Sequence, residues 1–348
     1  MTEPLHVALL GYGYAGKTFH APLIASVPGL RLAAVGTGDP AKVRADLPDV
    51  ATGTALEVLA RPEVDVAVIA TPNATHADLA RRALDAGKHV VVDKPFTLTL
   101  AEARELTRRA TRAGRQLSVF HNRRWDADFL TVRRLVAGGE LGEVVHFEAH
   151  FDRYRPEVRR RWREAAVPGG GLWHDLGPHL IDQALQLFGP PLAVYGDLAR
   201  QRAGAEAVDH AHVLLRYPRL RVILHAGMLV PGETPRFTLH GTLGSYVKHG
   251  LDTQEDALKR GERPGGPDWG ADPRDGVLTM WRDGAPYIRT VPTEAGDHRA
   301  YYAGLRDAIL GLGPSPVSAQ QAALVMAVLE RAGESAASGR ELPFEETV

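Results

Sequence analysis

Three side chains in this sequence are of the types that proton and charge transfer require. Asp175 and His179 stand four apart in Asp175-Leu176-Gly177-Pro178-His179, and Lys94 sits in Asp93-Lys94-Pro95. A carboxylate and an imidazole one helical turn apart share a side, where the imidazole can take a proton and the carboxylate can stabilise the resulting cation. Proline is tolerated near a helix start, so a helix running to Phe188 is expected to begin close to Pro178. His179 would then lie under the positive end of the helix dipole, which disfavours its imidazolium. Pro95 biases Lys94 to an extended conformation and so fixes where its ammonium leaves the chain. A base and a cationic donor aimed at one oxygen are what alcohol oxidation needs, because a proton leaves the hydroxyl as hydride leaves the carbon. Taken alone, the Asp/His pair is more often a surface or capping pair, and a lone lysine is usually solvated. The reading therefore depends on a hydride acceptor.

The elements that would position such an acceptor come first in the chain. The apolar run of residues 7–10 passes into Gly11-Tyr12-Gly13-Tyr14-Ala15-Gly16, and an apolar segment at 19–27 follows as a helix. This strand, turn and helix form a dinucleotide fingerprint. Gly11 serves the sharp turn, Gly13 the close approach of a pyrophosphate and Gly16 the packing of helix on strand, with Tyr14 and Ala15 at the helix start. Residues 30–35 form a second strand, ending in Gly36-Thr37-Gly38-Asp39-Pro40, where an adenosine ribose would be met. Asp39 is the only charge there, and it reads equally as a ribose contact, with Thr37 beside it, or as the N-cap of a helix from Pro40. NAD is slightly favoured over NADP. A third strand at 64–70 leads into Thr71-Pro72-Asn73-Ala74-Thr75-His76, facing the ligand crevice, although Asn73 and His76 read equally as loop and capping residues. Strands at 88–92 and 117–120 and a helix at 100–113 complete a repeated alternation, which implies a parallel sheet covered on both faces.

At His121-Asn122-Arg123-Arg124-Trp125-Asp126 the pattern breaks, dividing the chain into residues 1–121 and 122–348, with the final helices free to pack back on the first domain. Strands at 144–151, 208–217, 220–228 and 236–240 follow one another without alternating helices. The second domain is therefore α+β, on a large, mainly antiparallel open sheet whose exposed face a second subunit could cover. Residues 261–276 are dense in Gly, Pro and charge and read as a loop, and helices are expected at 301–310 and 319–337. Lys and Arg total 41 against 42 for Asp and Glu, so no net field favours nucleic acid or an anionic membrane. The absence of a membrane-length apolar run and of a signal region predicts a cytoplasmic protein. Zero cysteines exclude disulfides, thiolate metal sites and a cysteine nucleophile. His146, His150, His210 and His212 share strand faces, but no nearby carboxylate cluster completes a site and no metal is expected.

The glycine triplet, Thr71-Pro72-Asn73 with His76, Asp93-Lys94-Pro95 and Asp175-x-Gly177-x-His179 together resemble the Gfo/Idh/MocA oxidoreductase family, in order and spacing across nearly the whole chain. Within that family, the stretches 16–23, 121–126, 153–158 and 269–272 are similar to the bacterial scyllo-inositol 2-dehydrogenases. The resemblance implies a Rossmann domain followed by an α/β domain whose open sheet mediates homo-oligomers, dimers or tetramers. It implies Lys94, Asp175 and His179 as the catalytic set, and cofactor contacts from Gly11, Gly13, Tyr14, Ala15, Gly16, Thr37, Asp39, Thr71, Pro72, Asn73, His76 and Lys94. The family's Glu-Lys-Pro motif is Asp93-Lys94-Pro95 here, which keeps the charge. NADP-preferring relatives place a serine and an arginine within the stretch matching 36–39, and this chain has neither.

A polyol substrate needs many directional donors and acceptors. Asn122, Arg153, Tyr154, Arg155, Trp162 and His174 are placed to supply them, while the run at 159–163 reads as a solvated face. Two other classes use the same fold: a non-catalytic nucleotide sensor, against which the retained lysine and histidine argue, and an enzyme with tightly held NAD that uses transient oxidation, for example in glycoside cleavage.

Overall fold

The structure is a computed structural model that describes residues 3–345. The chain begins with β1 (Leu5–Leu10), a π-helical turn (Gly16–His20) running into α1 (Ala21–Ala25), β2 (Leu30–Gly36), α2 (Pro40–Asp46), β3 (Ala51–Gly53) and α3 (Ala55–Leu59). It continues with β4 (Val66–Ile69), α4 (His76–Asp85), β5 (His89–Val92), α5 (Leu100–Ala113), β6 (Leu117–Val119), α6 (Ala127–Ala137), β7 (Val144–Asp152) and α7 (Leu172–Phe188). Next come β8 (Ala193–Ala199), β9 (His210–Arg216), β10 (Arg221–Gly227), β11 (Pro235–Gly241), β12 (Gly244–His249) and α8 (Gln254–Lys259). The last elements are β13 (Gly276–Arg282), β14 (Ala285–Val291), α9 (Arg299–Ile309), α10 (Ala319–Ser338) and β15 (Leu342–Pro343).

Two compact units result. One comprises Met1–Trp125, Gln254–Trp269 and Asp297–Ala323, and the other Asp126–Thr253, Gly270–Gly296 and Leu324–Val348. The first is built on a parallel sheet in the order β3-β2-β1-β4-β5-β6, the doubly wound arrangement expected from the alternation. Residues 66–69 of β4 and 90–92 of β5 are all buried, so both faces of the sheet are covered. Helix ends follow local chemistry. Thr99 and Glu102 form a capping box at the start of α5, and Gly114 closes that helix in the left-handed region at φ 61°. Three short elements of this unit escape the sequence pattern, β3, α3 and α8, because three to six residues carry too little periodicity to register.

The second unit holds a mixed sheet in the order β14-β13-β12-β11-β7-β10-β9-β8-β15. It is mainly antiparallel as expected, but β7 and β10 run parallel. The strands at 193–199, 244–249, 276–282 and 285–291 are absent from the sequence reading. β14 shows why: five of its seven residues are exposed, and alternation fades where neither face is buried. The helix α7 covers one face through the buried Phe147, Phe151, Val213, Val222 and Leu224. On the opposite face, β7, β9 and β10 present half-buried polar residues.

The largest correction concerns α7. It begins at Leu172, not near Pro178, so that the proline lies inside the helix. The start is set by Gly171, whose φ of 93° suits glycine, and by a hydrogen bond from Leu172 N to Val208 O at 2.7 Å. Pro178 costs the helix one backbone bond, leaving the His174 carbonyl without its usual donor.

Candidate active site

Sheet register decides which turns meet in the first unit. Leu10, Ile69, Val92 and Val119 are partners across β1, β4, β5 and β6, so the turns that follow them leave side by side at the carboxyl edge. That edge is where open α/β sheets bind ligands. Gly11 turns at φ 97°, and a Cβ there would lie 2.5 Å from the Ala70 carbonyl oxygen. A Cβ on Gly16 would collide with the Gly11 carbonyl, whereas one on Gly13 would meet nothing within 4 Å. The helix start at Tyr14 and Ala15 is thus held tightly from below and left open above Gly13, a fit for a pyrophosphate. Tyr14 is half exposed and its hydroxyl donates to Glu255 Oε1 at 3.0 Å.

At the end of β2, Thr37 N donates to Gly53 O, and Thr37 Oγ1 accepts from Asp39 N at 3.0 Å. Asp39 accepts from Lys42 N at 3.1 Å and caps α2, with Pro40 in its first turn. Its capping reading is therefore realised. After β4, Thr71 and Thr75 hydroxyls pair at 2.7 Å beyond Pro72, and Asn73 is buried. His76, 1% exposed, places Nε2 3.0 Å from Thr71 O and Nδ1 2.9 Å from Pro95 O. It ties the β4 turn to the Lys94 turn from beneath.

Lys94 is half buried, and its amide N donates to Asp93 Oδ1 at 2.8 Å. Behind it stands a set that sequence reasoning passed over. His20 Nε2 lies 4.0 Å from Asp93 Oδ1, and its Nδ1 is 2.6 Å from the Tyr302 hydroxyl. Burial lowers the His20 pKa to about 4, against the opposing pull of Asp93. The only signal for it was one of fifteen histidines near the glycine turn, and its partner lies in α9, 282 residues away. Asn122, also buried, places Nδ2 3.4 Å from His298 Nδ1.

In the second unit, Asp175 falls in the first turn of α7 and His179 one turn later, 5% exposed beside Phe151 at 6.2 Å between ring centroids. The positive end of the helix dipole therefore falls at Asp175, where it favours the carboxylate, and not at His179. Trp173 and Gly177 occupy the side about 200° away, since each helical residue turns about 100°. Trp173 Nε1 donates to Leu329 O at 3.1 Å, and a Cβ at Gly177 would press on the Trp173 ring. That packing fixes the rotation of the helix and so the side that Asp175 and His179 share. Burial lowers the His174 pKa, against a hydrogen bond at Gly170.

Residues 153–155 are extended, with Arg153 N and Arg155 N donating to Gly227 O and Met228 O. Tyr154 is exposed, and Trp162 lies under the Arg163 guanidinium at 4.8 Å. The run read as a solvated face is one at Arg159, Arg160 and Trp162, whereas Arg161 and Arg163 turn to acidic partners. Arg163 Nε is 3.6 Å from Asp175 Oδ1, Arg161 Nε is 2.7 Å from Glu164 Oε1, and all four line one shallow recess. A 3₁₀ turn at Trp162–Glu164 folds them inward, which sequence spacing alone does not reveal.

Residues 5–121 match the NAD-binding Rossmann fold of an oxidoreductase family, and residues 133–344 match the C-terminal alpha/beta domain of the same family. The chain is 55% identical over 337 residues to the Escherichia coli uncharacterized oxidoreductase YdgJ, covering 97% of each. It is 38% identical over 346 residues to the Bacillus subtilis scyllo-inositol 2-dehydrogenase (NADP(+)) IolW, covering 99% of this chain and 97% of that one. A solved structure from Yersinia pestis superposes with a TM-score of 0.96 at 52% identity, covering 100% of this chain and 99% of that one. With both domains matched and the glycine turn shaped for a dinucleotide, the chain belongs to the Gfo/Idh/MocA oxidoreductase family.

Proposed function

We propose that this protein is an NAD(P)-dependent dehydrogenase that moves a hydride between the nicotinamide and a secondary hydroxyl of a cyclic polyol or sugar, with scyllo-inositol or a close relative as substrate. The observation that carries the reading is the alignment of the Gly11, Thr71 and Lys94 turns at one sheet edge, in a chain that keeps Asp175 and His179 one turn apart on α7. The likeness to the scyllo-inositol 2-dehydrogenase of Bacillus subtilis supports the substrate class.

Residues 1–121 carry the dinucleotide, and 122–348 supply the substrate pocket and a surface for self-association. Gly11, Gly13, Tyr14, Ala15 and Gly16 hold the pyrophosphate, Thr37 and Asp39 meet the adenosine ribose, and Thr71, Pro72 and Asn73 line the nicotinamide side. His76 serves from below by holding the Thr71 and Pro95 carbonyls. The bound nicotinamide supplies the hydride acceptor. His179 takes the hydroxyl proton, and Asp175 stabilises the imidazolium that forms. Lys94 donates a charge-assisted hydrogen bond to the reacting oxygen as its carbon becomes a carbonyl. Asn122, Arg153, Tyr154, Arg155, Trp162 and His174 bind the remaining hydroxyls. With no basic residue at 36–39, NAD is preferred to NADP by a small factor. The protein works in the cytoplasm as a homo-oligomer assembled through the mixed sheet. No helix among the described residues is long and apolar enough to cross a membrane.

Nicotinamide reduction at neutral pH, followed with NAD and NADP against scyllo-inositol, myo-inositol, glucose and xylose, tests the proposal. Turnover is expected with at least one inositol. Cofactor binding without turnover on any of the panel would remove the polyol assignment, and no cofactor binding at all would remove the dehydrogenase.

A further inference from the structure

The face of the mixed sheet opposite α7 carries chemistry that hydride transfer does not use. Strand register sets His150 of β7 beside His225 of β10, and His225 beside His212 of β9. One step along, Asp152 and His210 flank Gly227. The sequence reading overlooked Glu148, on the same strand face as His146 and His150, and its strand stopped at residue 151, one short of Asp152. β7 extends through Asp152, and Glu148 and Asp152 alternate onto the same face. His225, 75 residues from His150, enters only through the parallel pairing.

We propose that His150, Asp152 and His225 form a binding site for one divalent transition-metal cation of the zinc class, outside the catalytic machinery. One donor atom from each lies within 4.8 Å of the others. His150 Nδ1 is 2.8 Å from Asp152 Oδ2, and His225 Nε2 is 3.4 Å from Asp152 Oδ1. Ligand atoms bound at zinc distances stand about 3.3 Å apart in a tetrahedron, so small side-chain rotations admit the ion.

The outer partners that metal-binding imidazoles need are also present. His150 Nε2 lies 2.8 Å from Glu148 Oε1, which holds a proton on Nε2 when the ion replaces the proton between Nδ1 and Asp152 Oδ2. His225 Nδ1 lies 3.2 Å from His212 Nδ1, so a proton shared there leaves His225 Nε2 as the acceptor facing Asp152. Thr234 Oγ1 donates to Asp152 Oδ2 at 2.8 Å and holds the carboxylate. Gly227 adds no side chain beside the ligands: a Cβ there would stand 3.4 Å from both Asp152 Oδ1 and His225 Nε2 and 3.0 Å from Val230 Cγ2. Two imidazoles and one carboxylate select zinc-like ions over magnesium or calcium, and the fourth position is left to water. Such an ion would cross-link β7 to β10.

The test uses full-length, tag-free protein stripped with a chelator. Zinc is titrated in competition with a chromophoric chelator, and cobalt is added in parallel for its visible absorption. One equivalent per chain is expected at micromolar or tighter affinity, with a cobalt spectrum of low coordination number and no competition from magnesium. His225→Ala and His150→Ala should each weaken zinc at least 10-fold. Glu148→Gln, which keeps the side-chain shape, should also weaken it about 10-fold and serves if an alanine variant fails to fold. His240→Ala, a histidine of the same sheet that pairs with Ser245, should leave binding unchanged. No zinc bound at micromolar concentration, unchanged affinity in Glu148→Gln and His225→Ala, or loss of binding in His240→Ala would each overturn the proposal.

Discussion

The two sets of residues assigned to the proposed reaction are built from different materials. The dinucleotide half is main chain: a glycine in the left-handed region, a second packed against its carbonyl, a third with open space above it, and helix amides beyond. The substrate half is side chain: Asp175 and His179 on a helix whose rotation is fixed elsewhere, by Trp173 and Gly177 against Leu329. Where recognition is made by the backbone, a substitution acts through strain and shape, and binding and folding suffer together. Where it is made by side chains, a substitution removes chemistry and leaves the scaffold standing.

That contrast orders the expected effects. His179→Ala should lower kcat by about 10²- to 10⁴-fold, the usual range for losing a general base, while cofactor affinity measured by nicotinamide fluorescence stays within a few-fold. A large loss of affinity instead would erase the distinction. Gly11→Ala should do the reverse. With φ at 97° and Ala70 O in the way, it is expected to cost about 2–4 kcal/mol of stability by urea denaturation and to weaken the dinucleotide with it.

His20 sharpens the comparison from the first unit. Its pKa is depressed to about 4 by burial, so below its ordinary value the unfolded chain takes a proton that the folded chain refuses. Its contribution is fully present above about pH 6.5 and is lost as pH falls towards 4, amounting to at most about 3 kcal/mol. In His20→Gln the acid limb of a stability profile between pH 7 and 4.5 should flatten by a corresponding amount. An unchanged limb would show that this histidine does not set it. Asp39→Ala should have the smallest effect, about 1 kcal/mol for the lost cap of α2. If KM for NAD rises more than 10-fold with little change in stability, Asp39 acts mainly on the ribose.

The sequence made the main-chain half legible because only glycine satisfies its backbone demands, and its order with a buried strand and a helix is local. Lys94, Asp175 and His179 are legible as types, but the position of Asp175 and His179 along their helix is not. Pro178 points to a helix start because proline rules are strong in isolation, yet Gly171 and the bond to Val208 O begin the helix six residues earlier. What stayed hidden depends on contacts between distant segments. Tyr302 behind His20, Arg163 on Asp175, and His225 beside His150 are set by packing, a folded loop and strand register respectively. Local periodicity carries no trace of them.

The most direct test of the central claim follows an isotope. With scyllo-inositol deuterated at its ring carbons, deuterium should appear in the reduced nicotinamide at one atom per turnover, and Lys94→Ala should abolish that transfer while still binding the cofactor. Turnover of the polyol with no deuterium in the nicotinamide, or undiminished transfer in Lys94→Ala, would contradict the account.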